Sequence, residues 1–374
     1  MENPQFNFTL CKKDNSARAG LLKTPHGTFE TPIFMPVGTR GSVKSLSPQE
    51  LKECGSKIIL GNAYHLFLRP GEELISQMGG LHNFTSWDRA MLTDSGGFQL
   101  MSLCRLCKIT DEGVFFQSHI DGAKHFLTPR GIIDIQQKLG ADFIMSFDEC
   151  PPASSSKEYI KQAVKRTIKW AREGRAYFSN SKKQALFGIV QGGVDESLRA
   201  YCAEELIKMD FFGYALGGLA VGEHKSKMFS TVAILDKILP ENKPRYLMGV
   251  GTPQDILGAI ARGIDMFDCV LPTRNGRRGS VFTAKGRLVL KAAKYKYDDF
   301  PIDKNCGCYT CCNFSRAYIR HLFAVGELLA HRLATIHNLY FYHKLVAGAR
   351  EAILAGEFEK YYRYRIEEMD GEIA

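Results

Sequence analysis

Apolar residues along this chain come in short, β-branched-rich runs, and most runs stop at a polar residue or a glycine. Eight recur: Ile33–Val37, Ile58–Leu60 before Gly61-Asn62, Met91–Thr93 before Asp94, Phe143–Phe147 before Asp148, Leu186–Val190 before Gln191, Tyr214–Leu216 before Gly217-Gly218, Tyr246–Val250 before Gly251-Thr252, and Ile264–Phe267 before Asp268. Continuous apolar runs predict strands buried on both faces, hence a parallel sheet. Helical patterns fill the gaps over Pro48–Cys54, Pro129–Leu139, Ser156–Phe178, Asp195–Lys208, Lys225–Leu239 and Pro253–Arg262. Several open with Ser-Pro or Thr-Pro (Ser47-Pro48, Thr128-Pro129, Thr252-Pro253), where a capping hydroxyl precedes a proline suited to the first turn. Eight strands alternating with helices predict an α/β fold of the (β/α)₈ TIM-barrel type. A doubly wound open sheet is the competing architecture. The barrel is favoured because chemistry-bearing side chains end several different strands, as a barrel active site requires.

From about Tyr295 the alternation gives way to a loop-rich segment, a cysteine cluster, and helices expected at about 314–335 and 337–355. The chain therefore reads as a single (β/α)₈ barrel over 1–374 with a small subdomain at 296–350, containing the cysteine cluster, packed on it. A globular domain is consistent with 45% hydrophobic and 24% charged residues among 374. No apolar run approaches the roughly 20 residues needed to span a bilayer, and the first thirty residues lack a basic-then-apolar signal region. A cytoplasmic protein is expected.

Charge sharpens the picture. The net charge is +9, and two segments concentrate it. Residues 270–320 carry eleven Lys/Arg against three acids, and residues 161–183 carry eight against one. Such basic segments are an electrostatic footprint for nucleic acid. Within the first of them, Asp265–Gly279 places a carboxylate at a strand end and then Arg274, Arg277 and Arg278 on what reads as a neighbouring loop. The guanidinium fork matches phosphate oxygens and stays charged.

The eleven cysteines, with no export signal, argue against a disulfide framework. Cys104 and Cys107 form a lone C-x-x-C without flanking ligands. Cys306-Gly-Cys308-Tyr-Thr-Cys311-Cys312 is a metal signal: three thiolates on a tight loop fill three corners of a Zn²⁺ tetrahedron and leave the fourth for an imidazole. His321, His331, His337 and His343 are the candidates, and Cys312 is able to replace Cys311. Such a closed site is structural rather than catalytic.

Asp94, Asp148 and Asp268, with Gln191 and Gly217-Gly218, all close strand runs. In a parallel barrel these ends converge on one mouth, where paired carboxylates divide the roles of nucleophile and general acid/base. Asp94-Ser95-Gly96-Gly97-Phe98-Gln99 adds an aromatic able to stack on a base. Gly249-Val250-Gly251-Thr252 is a weak phosphate-loop signal, and His65 and His119 read as supporting rather than metal-binding histidines.

Taken in order, Asp94–Gln99, Phe147-Asp148-Glu149-Cys150, Val190-Gln191-Gly192-Gly193, Gly217–Glu223, Asp265–Arg277 and the Cys/His cluster closely resemble the bacterial-type tRNA-guanine transglycosylases (queuine tRNA-ribosyltransferases), over residues of about 6 to 360. The resemblance implies a (β/α)₈ barrel with one structural Zn²⁺ held by Cys306, Cys308, Cys311 and His337, leaving Cys312 a bystander. It implies exchange of guanine at the wobble position of G-U-N anticodon tRNAs for a 7-deazaguanine base. Asp268 matches the nucleophile and Asp94 the general acid/base. Asp148 matches the carboxylate that reads the Watson–Crick edge of the base. Gln191 and the Gly218 amide match contacts to the carbonyl oxygen, and Leu219 falls among the base-contacting residues. Phe98, standing where many relatives have Tyr, and Met248 would sandwich the base. Arg274, Arg277 and Arg278 fall in the anticodon-loop contact region.

Cys150 and Val221 match members that accept preQ1, whereas members using queuine typically carry Val and Gly there. The resemblance also implies a homodimer binding one tRNA. Two other readings are a non-catalytic tRNA-binding subunit of this fold and a barrel acting on glycosides or sugar phosphates. Retention of both Asp94 and Asp268 speaks against the first; the basic segments and the cysteine cluster speak against the second.

Overall fold

In the computed structural model, which describes residues 5–103 and 107–370, three antiparallel strands come first: β1 (Asn7–Asp14), β2 (Ala17–Thr24) and β3 (Gly27–Thr31). The barrel begins with β4 (Ile33–Pro36), β5 (Ile58–Gly61) and β6 (Ala90–Thr93). A second antiparallel sheet follows, of β7 (Cys107–Ile109), β8 (Val114–Gln117) and β9 (Lys124–Leu127). The barrel resumes with β10 (Phe143–Met145), β11 (Ala185–Val190), β12 (Gly213–Leu216), β13 (Arg245–Leu247) and β14 (Met266–Cys269), and a short hairpin of β15 (Ser280–Thr283) and β16 (Gly286–Val289) comes after it.

The eight expected strands are the eight strands of one parallel sheet, ordered β4-β14-β13-β12-β11-β10-β6-β5. A parallel bridge between Val37 and Leu60 joins the two ends, so the sheet closes on itself and the open doubly wound alternative falls away. Closure removes both sheet edges, which an open sheet leaves with unpaired backbone groups. Ser47, Thr128 and Thr252 each accept a backbone N–H at the start of a helix with proline in its first turn. A cap of this kind stabilises a helix by about 1 kcal/mol.

Side chains alternate across each strand, and here they sort into two cores. Ile33, Met35, Ile58, Leu60, Leu92, Phe143, Met145, Phe187, Ile189, Ala215, Tyr246 and Met266 fill the barrel interior, and Phe6, Phe8, Leu22 and Phe29 of the N-terminal segment plug it from below. Their neighbours, such as Ile59, Met91, Ile144, Val190, Leu216, Leu247 and Phe267, face the surrounding helices. The plugging sheet is the largest element not expected from the sequence. It is also pinned by polar contacts: Arg18 pairs with Asp265 at 3.2 Å, and His26 reaches Asp142 at 2.7 Å.

The C-terminal helices differ from expectation. They run Arg316–Val325, Leu328–Ala355 and Phe358–Asp370. The break falls at Gly326, whose φ of +79° caps the first helix in the left-handed conformation, rather than near residue 336. Residues 328–355 are thus one helix with His337 near its middle. Among the described residues, no helix is long and apolar enough to cross a membrane.

Candidate active site and metal centre

Strand parity carries the site. Leu92, Ile189, Tyr246 and Met266 point into the barrel. Two residues further on, Asp94, Gln191, Met248 and Asp268 therefore point the same way, at the carboxyl end of the sheet. Asp148 arrives differently. Strand β10 ends at Met145, and Phe147 turns outward to stack on Trp170 with ring centroids 4.6 Å apart. All five side chains line one cavity of about 360 Å³, together with Phe98, Gly218, Leu219, Cys150, Val221, Tyr246 and Asn62. Every residue expected to catalyse or to bind the base is in this set.

The three carboxylates are nearly buried, at 8%, 5% and 9% exposure for Asp94, Asp148 and Asp268. Burial disfavours the ionised form, and each is pushed above the usual carboxylate range chiefly for that reason. Asp94 is raised to about 7, with the nearby Asp268 charge adding to the effect of burial. Opposing this, its Oδ1 accepts the Ala63 N–H at 3.0 Å and its Oδ2 accepts the Asn62 side-chain amide. Asn62 also caps the next helix through His65 N–H at 3.0 Å, so one side chain orders both the helix and the carboxylate.

Asp148 accepts Ser95 Oγ–H at 2.6 Å and Gln191 Nε2–H at 2.8 Å. Gln191 also hydrogen-bonds the Cys150 thiol, while among the described residues its buried Oε1 has no hydrogen-bond partner. Asp268 Oδ1 accepts the Tyr246 hydroxyl at 2.6 Å and the Gly249 N–H at 2.7 Å. The Gly249 amide, first read as part of a phosphate loop, is thus directed at a carboxylate. Asn62, Ser95 and Tyr246 are the supporting residues that motif reading missed. Parity exposes Tyr246, which lies two residues before an inward Met248, and Asn62 is the polar stop of its own strand.

Arg274 and Arg277 lie on a helix rather than a loop, and Arg278 is the residue at its C-cap. Leu271–Arg277 is helical with proline in its first turn. Its Asn-Gly pair is helical because Gly276 sits directly against Thr335 of the long helix, where a Cβ would fall 2.9 Å from the threonine hydroxyl. Arg274 and Arg278 are exposed and Arg277 is partly buried. The Arg277 pKa is lowered by burial and by the other two guanidiniums, and among the described residues its buried Nη1 has no hydrogen-bond partner. Among the described residues no salt bridge engages any of the three.

Cys306, Cys308, Cys311 and His337 converge, with all four ligand atoms within 4.8 Å of one another. The sulfurs lie 3.6, 3.7 and 3.2 Å from His337 Nδ1. His337 Nε2 is 2.7 Å from the Phe282 carbonyl. Donation there leaves Nδ1 unprotonated and aimed at the sulfurs, the arrangement that supports a metal-bound imidazole. His343 instead bonds Ser56 at 2.9 Å, and His331 stacks on Phe323. Cys312 is exposed and outside the group. Of the C-x-x-C pair, Cys104 lies outside the described residues. None of the four ligands lines the active cavity. The centre is linked to the arginine helix: Asn338, next to His337, accepts the Phe282 N–H and donates to the carbonyls of Pro272, in the first turn of that helix, and Ser280, just after it.

Residues 12–371 match the queuine tRNA-ribosyltransferase family. The protein of that name from Thermoanaerobacter sp. (strain X514) is 57% identical over 97% of this chain and 99% of its own length. Those from Enterococcus faecalis and Listeria welshimeri are 53% and 54% identical, over 95% and 94% of this chain and 93% and 92% of theirs.

Proposed function

The chain belongs to the queuine tRNA-ribosyltransferase family, transferases of the tRNA-guanine transglycosylase type, and from that premise we propose that it exchanges guanine for preQ1 at the wobble position of G-U-N tRNAs through a covalent ribosyl-aspartate. The observation that carries this is the pair of buried carboxylates, Asp94 and Asp268, facing one cavity with different partners. Loss of guanine leaves an oxocarbenium-like ribose, which a close carboxylate stabilises and then traps. Asp268 is that nucleophile. Asp94, raised to about 7, donates a proton to the leaving base and accepts one from its replacement.

Asp148, Gln191 and the Gly218 amide address the polar edge of the base; Phe98 and Met248 hold its faces and Leu219 its rim. Arg274, Arg277 and Arg278, with no carboxylate paired to them among the described residues, serve the anticodon-loop phosphates. One base leaves before the next enters the same pocket, so the kinetics are ping-pong. Cys150 and Val221 both border the cavity, which favours the small preQ1 over queuine with its bulky cyclopentenediol. The Cys₃His group fits a structural Zn²⁺ by donor set and geometry, and its place is to hold the arginine helix through Asn338. A cytoplasmic homodimer on one tRNA is the accompanying expectation.

The test is an Asp268→Asn chain incubated with a G-U-N tRNA. The unaltered chain forms a covalent adduct and exchanges labelled guanine; the variant does neither while still binding tRNA. An adduct persisting in the variant moves the nucleophile elsewhere.

A further inference from the structure

The two oxygens of Asp268 differ. Oδ1 accepts two hydrogen bonds, from the Tyr246 hydroxyl at 2.6 Å and the Gly249 N–H at 2.7 Å. Oδ2 has no protein donor among the described residues, and the carboxylate borders the cavity. Tyr246 is fully buried in the barrel interior, on β13, whose register sets it opposite Met266, two residues before Asp268. A buried tyrosine hydroxyl needs a partner, and Asp268 is the one it has here. We propose that Tyr246 is a positioning residue: with the Gly249 amide it immobilises Asp268 Oδ1 and so assigns attack on the ribose to Oδ2.

This inference rests on the proposed ribosyl-aspartate, and its consequences follow atom by atom. The Oδ2–C1′ bond forms as the C1′–N9 bond breaks, the bonding pair leaves with guanine, and a proton reaches the base. Oδ1 then becomes the ester carbonyl oxygen, still facing both donors. When the incoming base nitrogen takes C1′, the Oδ2–C1′ pair returns to the carboxylate. Hydrogen bonds to a charged carboxylate are stronger than those to a neutral ester. Tyr246 therefore lowers the basicity of the nucleophile and eases its departure in the second half-reaction. The other titratable groups near Asp268 are Asp94 across the mouth and Cys269 beside it on β14; on the other flank β4 offers Met35 at the paired position.

The experiment compares the unaltered chain, Tyr246→Phe, and a chain carrying 3-fluorotyrosine at 246, whose more acidic hydroxyl is a stronger donor. Exchange is followed against pH, and the adducted peptide is identified by mass spectrometry. In Tyr246→Phe, kcat falls about 10- to 100-fold, the loss of one charge-assisted bond, with KM for tRNA and base unchanged. Losing the donor raises the Asp268 pKa, so the acid limb of kcat/KM moves to higher pH; the fluorinated hydroxyl moves it to lower pH. A tyrosine that only fills space moves neither limb, and an unmoved limb with the adduct still on Asp268 overturns the proposal. Absence of any Asp268 adduct in the unaltered chain overturns instead the reading on which it rests. The fluorinated chain keeps the hydroxyl and the shape of the site, so the question is decided even if Tyr246→Phe does not fold.

Discussion

Asp265 and Asp268 stand three residues apart around one strand, both nearly buried, and they end at opposite faces of the barrel. Asp268 is at the carboxyl end, held by a hydroxyl and an amide on one oxygen and open to a cavity on the other side. Asp265 is at the amino end, fully buried beneath the plugging sheet, with Arg18 at 3.2 Å and the Arg245 N–H at 2.8 Å. Burial pushes both upward, Asp265 to about 6 against the pull of Arg18. A raised pKa therefore does not separate the reactive carboxylate from the structural one. What separates them is the partner: a buried cation that answers the charge below, and only neutral donors above. The same division appears in Asp142, which receives His26, His82 and the Met91 N–H at the lower face. Ionic and imidazole partners hold the barrel to its plug, whereas among the described residues Asp94, Asp148 and Asp268 at the mouth form no ion pair.

If that division is right, changes at the two ends fail in different ways. The largest effect is expected at Asp94. Asp94→Asn lowers the rate of guanine release by about 10²- to 10⁴-fold, the usual range for a general acid, while the melting temperature stays near that of the unaltered chain. The sign with pH follows from its role. The acid must carry its proton, so adduct formation in the unaltered chain declines as pH rises through about 7, the value to which burial raises Asp94. In the variant this alkaline limb disappears. Single-turnover adduct formation across pH measures both, and a limb that survives in Asp94→Asn assigns the proton to another group.

Next in size is Asp265→Ala. Removing it leaves Arg18 buried without its counter-charge, which costs about 3–5 kcal/mol, read as a lower denaturation midpoint. The folded fraction keeps its kcat and its acid limb. A variant that melts normally but loses kcat collapses the contrast between the two faces.

The upper face was legible in the sequence and much of the lower was not. Each barrel strand is buried on both sides, so it reads as an unbroken apolar run ending in a polar stop, and those stops are the site. Strand β1 is largely exposed and carries Lys12, Lys13 and Asp14, and β2, though mostly buried, is broken up by Arg18, Gly20 and Lys23, so no apolar run marks either. Their place under the barrel depends on Phe6, Phe8, Leu22 and Phe29 meeting residues far away in sequence. The C-terminal helices were seen but divided wrongly, because the apolar pattern continues through residues 316–355 and only the left-handed Gly326 marks the break. Arg274 and Arg277 read as loop residues because their Asn-Gly neighbour is a turn signal; close packing on Thr335 makes it helical. The supporting hydroxyl of Tyr246 was hidden in a run taken as purely apolar.

The smallest effect tests the mouth without touching its carboxylates. Val221 is half-buried on the loop after β12, where its N–H and that of Ala220 are both accepted by Glu223. Val221→Gly keeps those backbone donors and removes only the isopropyl group of a residue that lines the cavity. Base pockets discriminate weakly by single apolar groups, typically about 10- to 200-fold, so a gain in queuine kcat/KM near the lower end, roughly tenfold, is expected. PreQ1 turnover and the melting temperature should change little, because neither the proton-transfer groups nor the lower face is involved. Competition between the two bases for one G-U-N tRNA measures the shift. If the unaltered chain already incorporates queuine as readily as preQ1, Val221 does not guard the pocket, and the selectivity of the upper face has to come from the shape of the loop around it.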